Sequence, residues 1–468
     1  MSIPTADPAE PPVITGRLGR LRGLRIWDAA GRRDFRLLWA SEGISVLGDQ
    51  FHAVALSWLV ISLTGSGLAL GTVLIAISVP RAILLLPMGV AADRRSPRSM
   101  MLVSHVARAA IVAAITALIV SDNASIPALA ALGVVFGAAD AMFIPAMQAF
   151  VPSAAGEDRL PSANALLQGT FQLTSIVGPP VAGLVVAAAG TGIAFGFDAA
   201  SFVIAAGLLL MIGRARVLSR AGVRPSANTA TDEAARASAA TPVPAAPPTA
   251  PAPNEPFLAS MWGGLRYVIA DRAIAMLMLV SLVLNFALSG PASVGMPWLA
   301  ELRYHAGAAG LGVLVAAWAL GGLTGTLIAG NARLERQGRT VLVGLGVAGC
   351  AVAVVGIAPS VLVAFAAFAV GGLCTGYVNI VAVSWLQARV DRAMLGRVMG
   401  LVMLMGFGIS PLSMAIAGAL IDVNATALFL GAGALMVVTT IAAQALGMAE
   451  LFNAPAGSAP ARAARVGE

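Results

Sequence analysis

The chain has 468 residues, of which 58% are apolar and 11% are charged, and its mean hydropathy is +0.87. This composition excludes an ordinary soluble fold of this length and indicates a membrane protein. The formal net charge is +7, but the basic residues are spread along the chain, which argues against a nucleic-acid-binding domain.

Apolar stretches dominate the chain, and each is long enough, at roughly 20 residues, to cross a bilayer as a helix. They predict an all-α integral membrane fold with about twelve transmembrane helices. The predicted spans lie near 37–62, 67–92, 99–120, 124–150, 161–187, 190–213, 273–298, 306–329, 340–358, 360–388, 394–421 and 424–448.

The basic residues are all arginines, and a twelve-span arrangement places them almost entirely in loops on one side, with Arg303 as the exception. By the positive-inside rule, both termini are predicted to lie in the cytoplasm, as an N-terminal tail over 1–35 and a C-terminal tail over 449–468. The basic segment 17–27 is either an amphipathic helix on the inner leaflet or a disordered tail that enforces topology.

Residues 214–256 are rich in Ala, Pro, Ser and Thr, which predicts a solvated cytoplasmic linker. This linker separates a six-helix bundle over 36–213 from a second one over 257–448. The two halves also echo each other. Each has an arginine-rich turn after its second span, and Gly178-Pro179 corresponds loosely to Ser410-Pro411, which suggests an internal duplication.

The charged turn GVAADRRSPRSM, between the second and third spans, contains Gly89, Asp93, Arg94 and Arg98. Its order of glycine, acidic-basic pair and further basic residue resembles the loop between helices two and three of the major facilitator superfamily. The stretches FRLLWASEGISVLGDQFHAVALSWLV, FIPAMQAFVPSAAGEDRLPSANALL and GRVMGLVMLMGFGISPLSMAIAGALID resemble the branch with macrolide-efflux proteins and the enterobactin exporter. The resemblance implies two pseudo-symmetric six-helix bundles.

The resemblance also implies a cytoplasmic gate built on this turn. Asp93 could accept hydrogen bonds from amides at the N-terminus of another helix, and Gly89 would let helices approach closely. The implied partner is the start of the eleventh span, so that Asp93, Arg98 and Arg397 would form a latch that closes when the cavity faces outward. The alternative is that the turn only ends a helix and enforces topology.

The fifth predicted span contains Gly178, Pro179, Pro180 and Gly183, which resemble the glycine-proline motif of proton-linked antiporters in the superfamily. Adjacent prolines remove backbone hydrogen bonds and predict a kink in this helix. The chain lacks the rest of that glycine ladder and the arginine of the antiporters' fourth helix, so the motif alone does not imply proton coupling.

Three charges inside the first four spans are candidates for proton or ion coupling. Asp49 and Arg81 lie near the middle of adjacent antiparallel spans, and we expect them to pair. The pair is either a proton or cation carrier or a static contact that fixes helix packing. Asp140 has no obvious partner in the sequence, which favours a titrating group or a binding site for a cationic substrate.

Four further polar or charged residues receive structural interpretations. Glu42 is expected to reach the membrane interface, and Arg108 to extend its side chain toward the membrane surface. His52 could relay a proton from Asp49, but a histidine hydrogen-bonded within the bundle is the favoured interpretation. Asp198 is interpreted as an interfacial or packing residue.

Amides and aromatics within the spans are candidates to line a substrate cavity. Each is alternatively a contact between helices. They are Gln168, Gln172, Asn285, Trp318, Tyr377 and Asn379.

No phosphate-binding loop, nucleophile motif or metal-ligand spacing is present, so we expect neither an enzyme nor a cofactor or metal. We predict a monomeric secondary transporter of the bacterial inner membrane, surrounded by lipid, that exports a small hydrophobic or amphiphilic drug-like solute by alternating access against protons. One alternative is an exporter or importer of an endogenous metabolite such as a siderophore or natural product. Another is a membrane scaffold or receptor without transport activity.

Overall fold

The computed structural model describes residues 27–213, 257–331 and 337–453. The predictions for the tail before residue 27, the linker 214–256, Arg333 and Arg336 of the eighth loop and the tail after 453 lie outside these ranges. Over the described residues the secondary structure is helical, and eleven helices there are long and apolar enough to cross a membrane.

One of the eleven is the 54-residue helix Arg392–Ala445, whose backbone leaves the helical region at Asn424, with φ −159° and ψ 95°. At 1.5 Å per residue it would be about 80 Å long, far more than a hydrocarbon core of about 30 Å. It therefore represents two spans. The predicted fold of about twelve transmembrane helices is confirmed.

The first six spans have short connections, so consecutive helices run in opposite directions across the membrane. The fourth span consists of two helices, α4a and α4b. Their bounds are Arg33–Thr64 (α1), Gly67–Arg94 (α2), Pro97–Val120 (α3), Ile126–Asp140 (α4a), Phe143–Ala155 (α4b), Leu160–Ala189 (α5) and Thr191–Leu210 (α6).

The second six spans follow a short helix, Phe257–Ala270. The seventh span begins as an α-helix and continues through two π-helical turns, Pro291–Gly295 and Leu299–Arg303. The bounds are Arg272–Gly290 (α7), Gly307–Asn331 (α8), Gln337–Ile357 (α9), Val361–Arg389 (α10), 392–423 (α11) and 425–445 (α12).

Local sequence explains the helix boundaries. The Ser66 side chain accepts a hydrogen bond from the Ala69 amide at the start of α2, and Gly65 adopts φ 62° at the end of α1. The Asp271 carboxylate similarly accepts from the first amides of α7. The fourth span is divided after Asp140, because Pro145 has no N–H for the carbonyl of Ala141 and its ring disfavours a continuous helix there.

The buried apolar residues form three clusters, and their positions define two faces of the molecule. We call the end at which α1 begins the terminal face and the other end the opposite face. Toward the terminal face each bundle has its own core, one around Phe35 and Phe150 and the other around Ile274 and Trp385. Toward the opposite face a single core includes residues of both bundles. The bundles are therefore joined through the opposite half of the molecule.

Small residues bring the bundles together in that half. A Cβ atom on Gly71 of α2 would lie 3.0 Å from the carbonyl oxygen of Met414 and 3.3 Å from the Cα of Gly418, both in α11. On the other side of the interface, Gly312 of α8 packs against the backbone of Pro179 in α5. Glycine permits this backbone contact because it has no side chain to separate the helices.

Candidate functional site

A chain of ion pairs crosses the interior of the first bundle and connects four spans. Arg81 of α2 lies 3.0 Å from one carboxylate oxygen of Asp140, and Arg108 of α3 lies 3.2 Å from the other. Arg108 also lies 3.6 Å from the Asp49 carboxylate of α1. Asp140 therefore bridges two arginines at the point where the fourth span is broken.

Arg108 is the centre of this network and is only 1% exposed. Its Nη2 donates to Nδ1 of His105 at 3.2 Å, and its guanidinium lies over the rings of Phe143, at 4.8 Å, and Phe202, at 4.4 Å. The prediction that Arg108 reaches the membrane surface is wrong. Two carboxylates and two ring faces compensate its burial, so the side chain has no need to extend to water.

A direct contact between Asp49 and Arg81 stays a prediction. The ion pairs in the structure join Asp49 to Arg108, Arg108 to Asp140 and Asp140 to Arg81. The partners of Asp140 were missed because they lie on helices distant in sequence. The available signal was the position of Arg108 at the middle of its span, too deep for its side chain to reach the interface.

His52 and Asp198 form a second buried pair in the same bundle. Their side chains are 2.9 Å apart, and the imidazole stacks on Phe136 with ring centroids 4.5 Å apart. His52 is thus hydrogen-bonded within the bundle, as predicted. Asp198 is fully buried and is a packing residue rather than an interfacial one.

Glu42 of α1 lines a cavity in the first bundle. It is 9% exposed, and its Oε2 is buried without a hydrogen-bond partner. The prediction that Glu42 reaches the interface is therefore wrong, because the cavity and not the membrane surface lies in front of it. The cavity measures about 680 Å³ and is lined by Glu42, Val46, Met147, Gln148, Val151, Pro152, Leu160, Asn164, Leu167, Gln168, Thr170 and Phe171.

The predicted cavity residues divide between the two bundles. Gln168 lines the cavity, whereas Gln172 is not among its lining residues. Asn285 donates to the Ser281 carbonyl of its own helix, and Trp318 packs against α10, with its ring edge toward Phe368. Tyr377 packs against the core of the second bundle, and Asn379 is exposed. For Trp318 and Tyr377, the structure agrees with the alternative interpretation as contacts between helices.

The predicted latch of Asp93, Arg98 and Arg397 stays a prediction, and two of its residues have described neighbours. Arg98 donates to the carbonyls of Leu209 and Leu210, each at 2.9 Å, and so caps the end of α6 in its own bundle. Arg397 packs against the short helix Phe257–Ala270, and a Cβ on Gly263 would lie 3.0 Å from its Nη1. The Asp93 side chain lies outside the described part of the structure.

Gly89 and Arg94 lie in the last turns of α2, toward the terminal face. Arg94 is exposed, and a Cβ on Gly89 would meet no described atom within 4 Å. Close helix contact at Gly89 stays a prediction.

The same kind of latch is present at the opposite face, where sequence reasoning did not look for it. Asp422, at the end of α11, accepts hydrogen bonds from the amides of Gly67 and Leu68 at 2.7 and 3.0 Å, and from the Ser66 hydroxyl at 2.7 Å. These amides form the start of α2, where the helix dipole favours an anion. The available signal was an acidic residue next to the short connection between two apolar spans.

The glycine-proline motif packs the fifth helix against two neighbours. A Cβ on Gly178 would lie 2.7 Å from the Gln50 side chain of α1, and the backbone of Pro179 meets Gly312 of α8. Gly183 meets Ala308 in the same way. The helix Leu160–Ala189 continues through Pro180 without a break in its assignment, and the kink stays a prediction.

Residues 27–242 match the family described as a transmembrane secretion effector. Enterobactin exporters of Escherichia coli O1:K1 and Citrobacter koseri are 27% identical to the chain over 278 residues, which is 59% of this chain and 58% of each exporter. The chain is therefore similar to a transmembrane secretion family and to known exporters. Its match to the secretion-effector family includes the whole first bundle and the ion-pair network.

Solved transporter structures share the fold of this chain. The nucleoside transporter NupG has a TM-score of 0.62 at 12% identity, covering 90% of this chain and 100% of NupG. A bacterial homologue of the iron transporter ferroportin, in an inward-facing state, has a TM-score of 0.64 at 15% identity, covering 88% and 98%. These relatives and neighbours are transporters, in agreement with the prediction that the chain is not an enzyme.

Proposed function

We propose that this chain is a secondary transporter of the major facilitator type that exports a small hydrophobic or amphiphilic compound from the cytoplasm by alternating access. The observation that carries the proposal is the unequal joining of the bundles, with one shared core toward the opposite face and two separate cores toward the terminal face. The arginine-rich loops favour a cytoplasmic terminal face in a bacterial inner membrane. The cavity beside Glu42 would then receive its solute from the cytoplasm.

Proton exchange through the network is the proposed drive. Asp140 holds Arg81 and Arg108 together, so a proton on Asp140 would remove the charge that keeps α2 and α3 close at this depth. The same α2 carries Gly71, ten positions or about 15 Å before Arg81, at the contact with α11. Protonation in the network could therefore change the position of the helix that closes the opposite face.

Export of an endogenous metabolite is the second candidate, favoured by the similarity to enterobactin exporters over 59% of this chain. The chain spans 58% of the length of the curated relatives it matches. A deletion strain compared with its parent, for drug susceptibility and for secreted metabolites, separates the two candidates. Increased drug sensitivity supports the first, and retention of one metabolite supports the second.

Transport in vesicles tests the mechanism with the solute that this screen identifies. An imposed pH gradient should drive its accumulation, and Asp140→Asn or Asp49→Asn should reduce that uptake by about tenfold or more, because each removes a charge from the network. Asp158→Asn, at an exposed position, is the matched control and should transport normally. Unchanged uptake in both network variants would contradict the proposed coupling. Absence of solute uptake under any imposed gradient would contradict transport itself.

A further inference from the structure

Glu42 has a different environment from the other carboxylates near it. Asp49 and Asp140 are each within ion-pair distance of Arg108, and Asp140 also reaches Arg81. The Glu42 Oε2 is buried and makes no hydrogen bond with any described residue. Glu42 thus differs from Asp49 and Asp140 in having a buried carboxylate oxygen without a hydrogen-bond partner beside the cavity.

An unpaired carboxylate in an apolar environment is costly and needs a positive partner or a proton. The described cavity lining supplies neither, because its other polar residues are the neutral Gln148, Asn164, Gln168 and Thr170. Thr170 is itself engaged, since its hydroxyl accepts a hydrogen bond from the Trp39 indole at 2.8 Å. A proton, or a positive partner from outside the cavity wall, would satisfy the carboxylate.

The remaining lining indicates what else the partner contains. Val46, Met147, Val151, Leu167 and Phe171 present apolar surface around the carboxylate. A volume of about 680 Å³ is within the usual range for sites that hold drug-sized ligands. The ring of Phe171 could also contact a cation through its face.

We propose that Glu42 is the recognition group for an organic cation, an amine or quaternary ammonium or phosphonium compound with an apolar body, bound in this cavity. The proposal rests on the proposed export function only in treating the cavity as the solute site. Cation and proton would occupy the same carboxylate in turn. Glu42 would thus provide charge selectivity, while the network of Asp49, Arg81, Arg108 and Asp140 responds to the change in charge beside it.

Equilibrium binding to the purified full chain in lipid nanodiscs tests the assignment without any transport step. The probes are tetraphenylphosphonium, ethidium and benzalkonium, with uncharged triphenylphosphine oxide as the neutral comparison. At least one cation should bind to the wild type, Glu42→Gln should weaken its binding about tenfold or more, and Glu42→Asp should restore part of the affinity. Glu301→Gln, at a glutamate outside the cavity, is the matched control and should bind normally.

Several results would overturn the assignment. The first is that none of the three cations binds to the wild type. The second is that a cation binds to Glu42→Gln with the same affinity as to the wild type. The third is that Glu42→Gln loses affinity for triphenylphosphine oxide and for the cation to the same extent. If Glu42→Gln does not fold, the Met147→Trp variant tests the site instead. Its larger side chain should fill the cavity and remove cation binding, and unchanged binding would refute the site. Binding that depends on Glu42 together with absent transport in vesicles would contradict the export function and leave the recognition site intact.

Discussion

The two faces of the molecule differ in the contacts that the bundles make there. At the opposite face, Asp422 of the second bundle binds the start of α2 in the first bundle, and Gly71 lets the backbones of α2 and α11 meet. At the terminal face, Arg98 is engaged within its own bundle and Gly89 has no close neighbour among the described residues. The predicted Asp93 latch would have the mirrored arrangement, with an acid of the first bundle on the start of α11.

This comparison indicates how one chain can alternate between two states. Each face would close by placing a carboxylate on the N-terminus of a helix from the other bundle, where exposed amides and the helix dipole favour an anion. The bundles cannot make both contacts at once if they rock about the solute site. Substitutions on the two faces should therefore shift the population of states in opposite directions.

Gly71→Leu should have the largest effect, because a side chain cannot fit where a Cβ would already lie 3.0 Å from the Met414 carbonyl oxygen. We expect the opposite face to remain open in most molecules. The measurement uses a Ser293→Cys reporter, which lies in the cavity of about 270 Å³ between the bundles. An impermeant maleimide added outside labels this cysteine when the opposite face is open. Cys350 and Cys374 are replaced beforehand so that the reporter alone is labelled. Gly196→Leu, where a Cβ would meet nothing within 4 Å, is the control, and equal labelling in both variants would contradict the prediction.

Asp422→Asn should have an intermediate effect in the same direction. Hydrogen bonds to a charged group contribute about 1.5–3 kcal/mol, so losing the charge should raise the open population about tenfold or more. The same reporter at Ser293 should become more accessible from outside. Asp122→Asn, at an exposed turn on the same face, should leave labelling unchanged. An Asp422→Asn protein that labels like the wild type would show that the carboxylate is not part of the gate.

Asp93→Asn should have the smallest effect and the opposite sign. A single anion at a helix N-terminus is worth about 0.3–1 kcal/mol, so its loss should favour the state described here about two- to fivefold. External labelling of the Ser293→Cys reporter should decrease, and transport should slow. Asp158→Asn, exposed on the same face, provides the comparison. Increased labelling in Asp93→Asn, or labelling and transport equal to those of the wild type, would contradict a latch between Asp93 and α11.

Much of the fold followed from the sequence, because the bilayer imposes a length and an apolar composition on each span. The break after Asp140 was missed, although Pro145 carries its cause. The two spans within Arg392–Ala445 were separated correctly from composition alone. The site was only partly predictable. Asp49, Arg81 and Asp140 were recognised as charges in an apolar setting, whereas Arg108 and Glu42 were given the wrong environments.

The sequence by itself determined that the chain is an integral membrane protein, how many spans it has and which residues carry an unusual charge within them. These properties depend on local composition, and the membrane acts on each segment separately. Only the tertiary structure decided which charges pair, which carboxylate is left unpaired and which face is closed. Those outcomes depend on helices that lie far apart in the chain and meet only when the bundles pack.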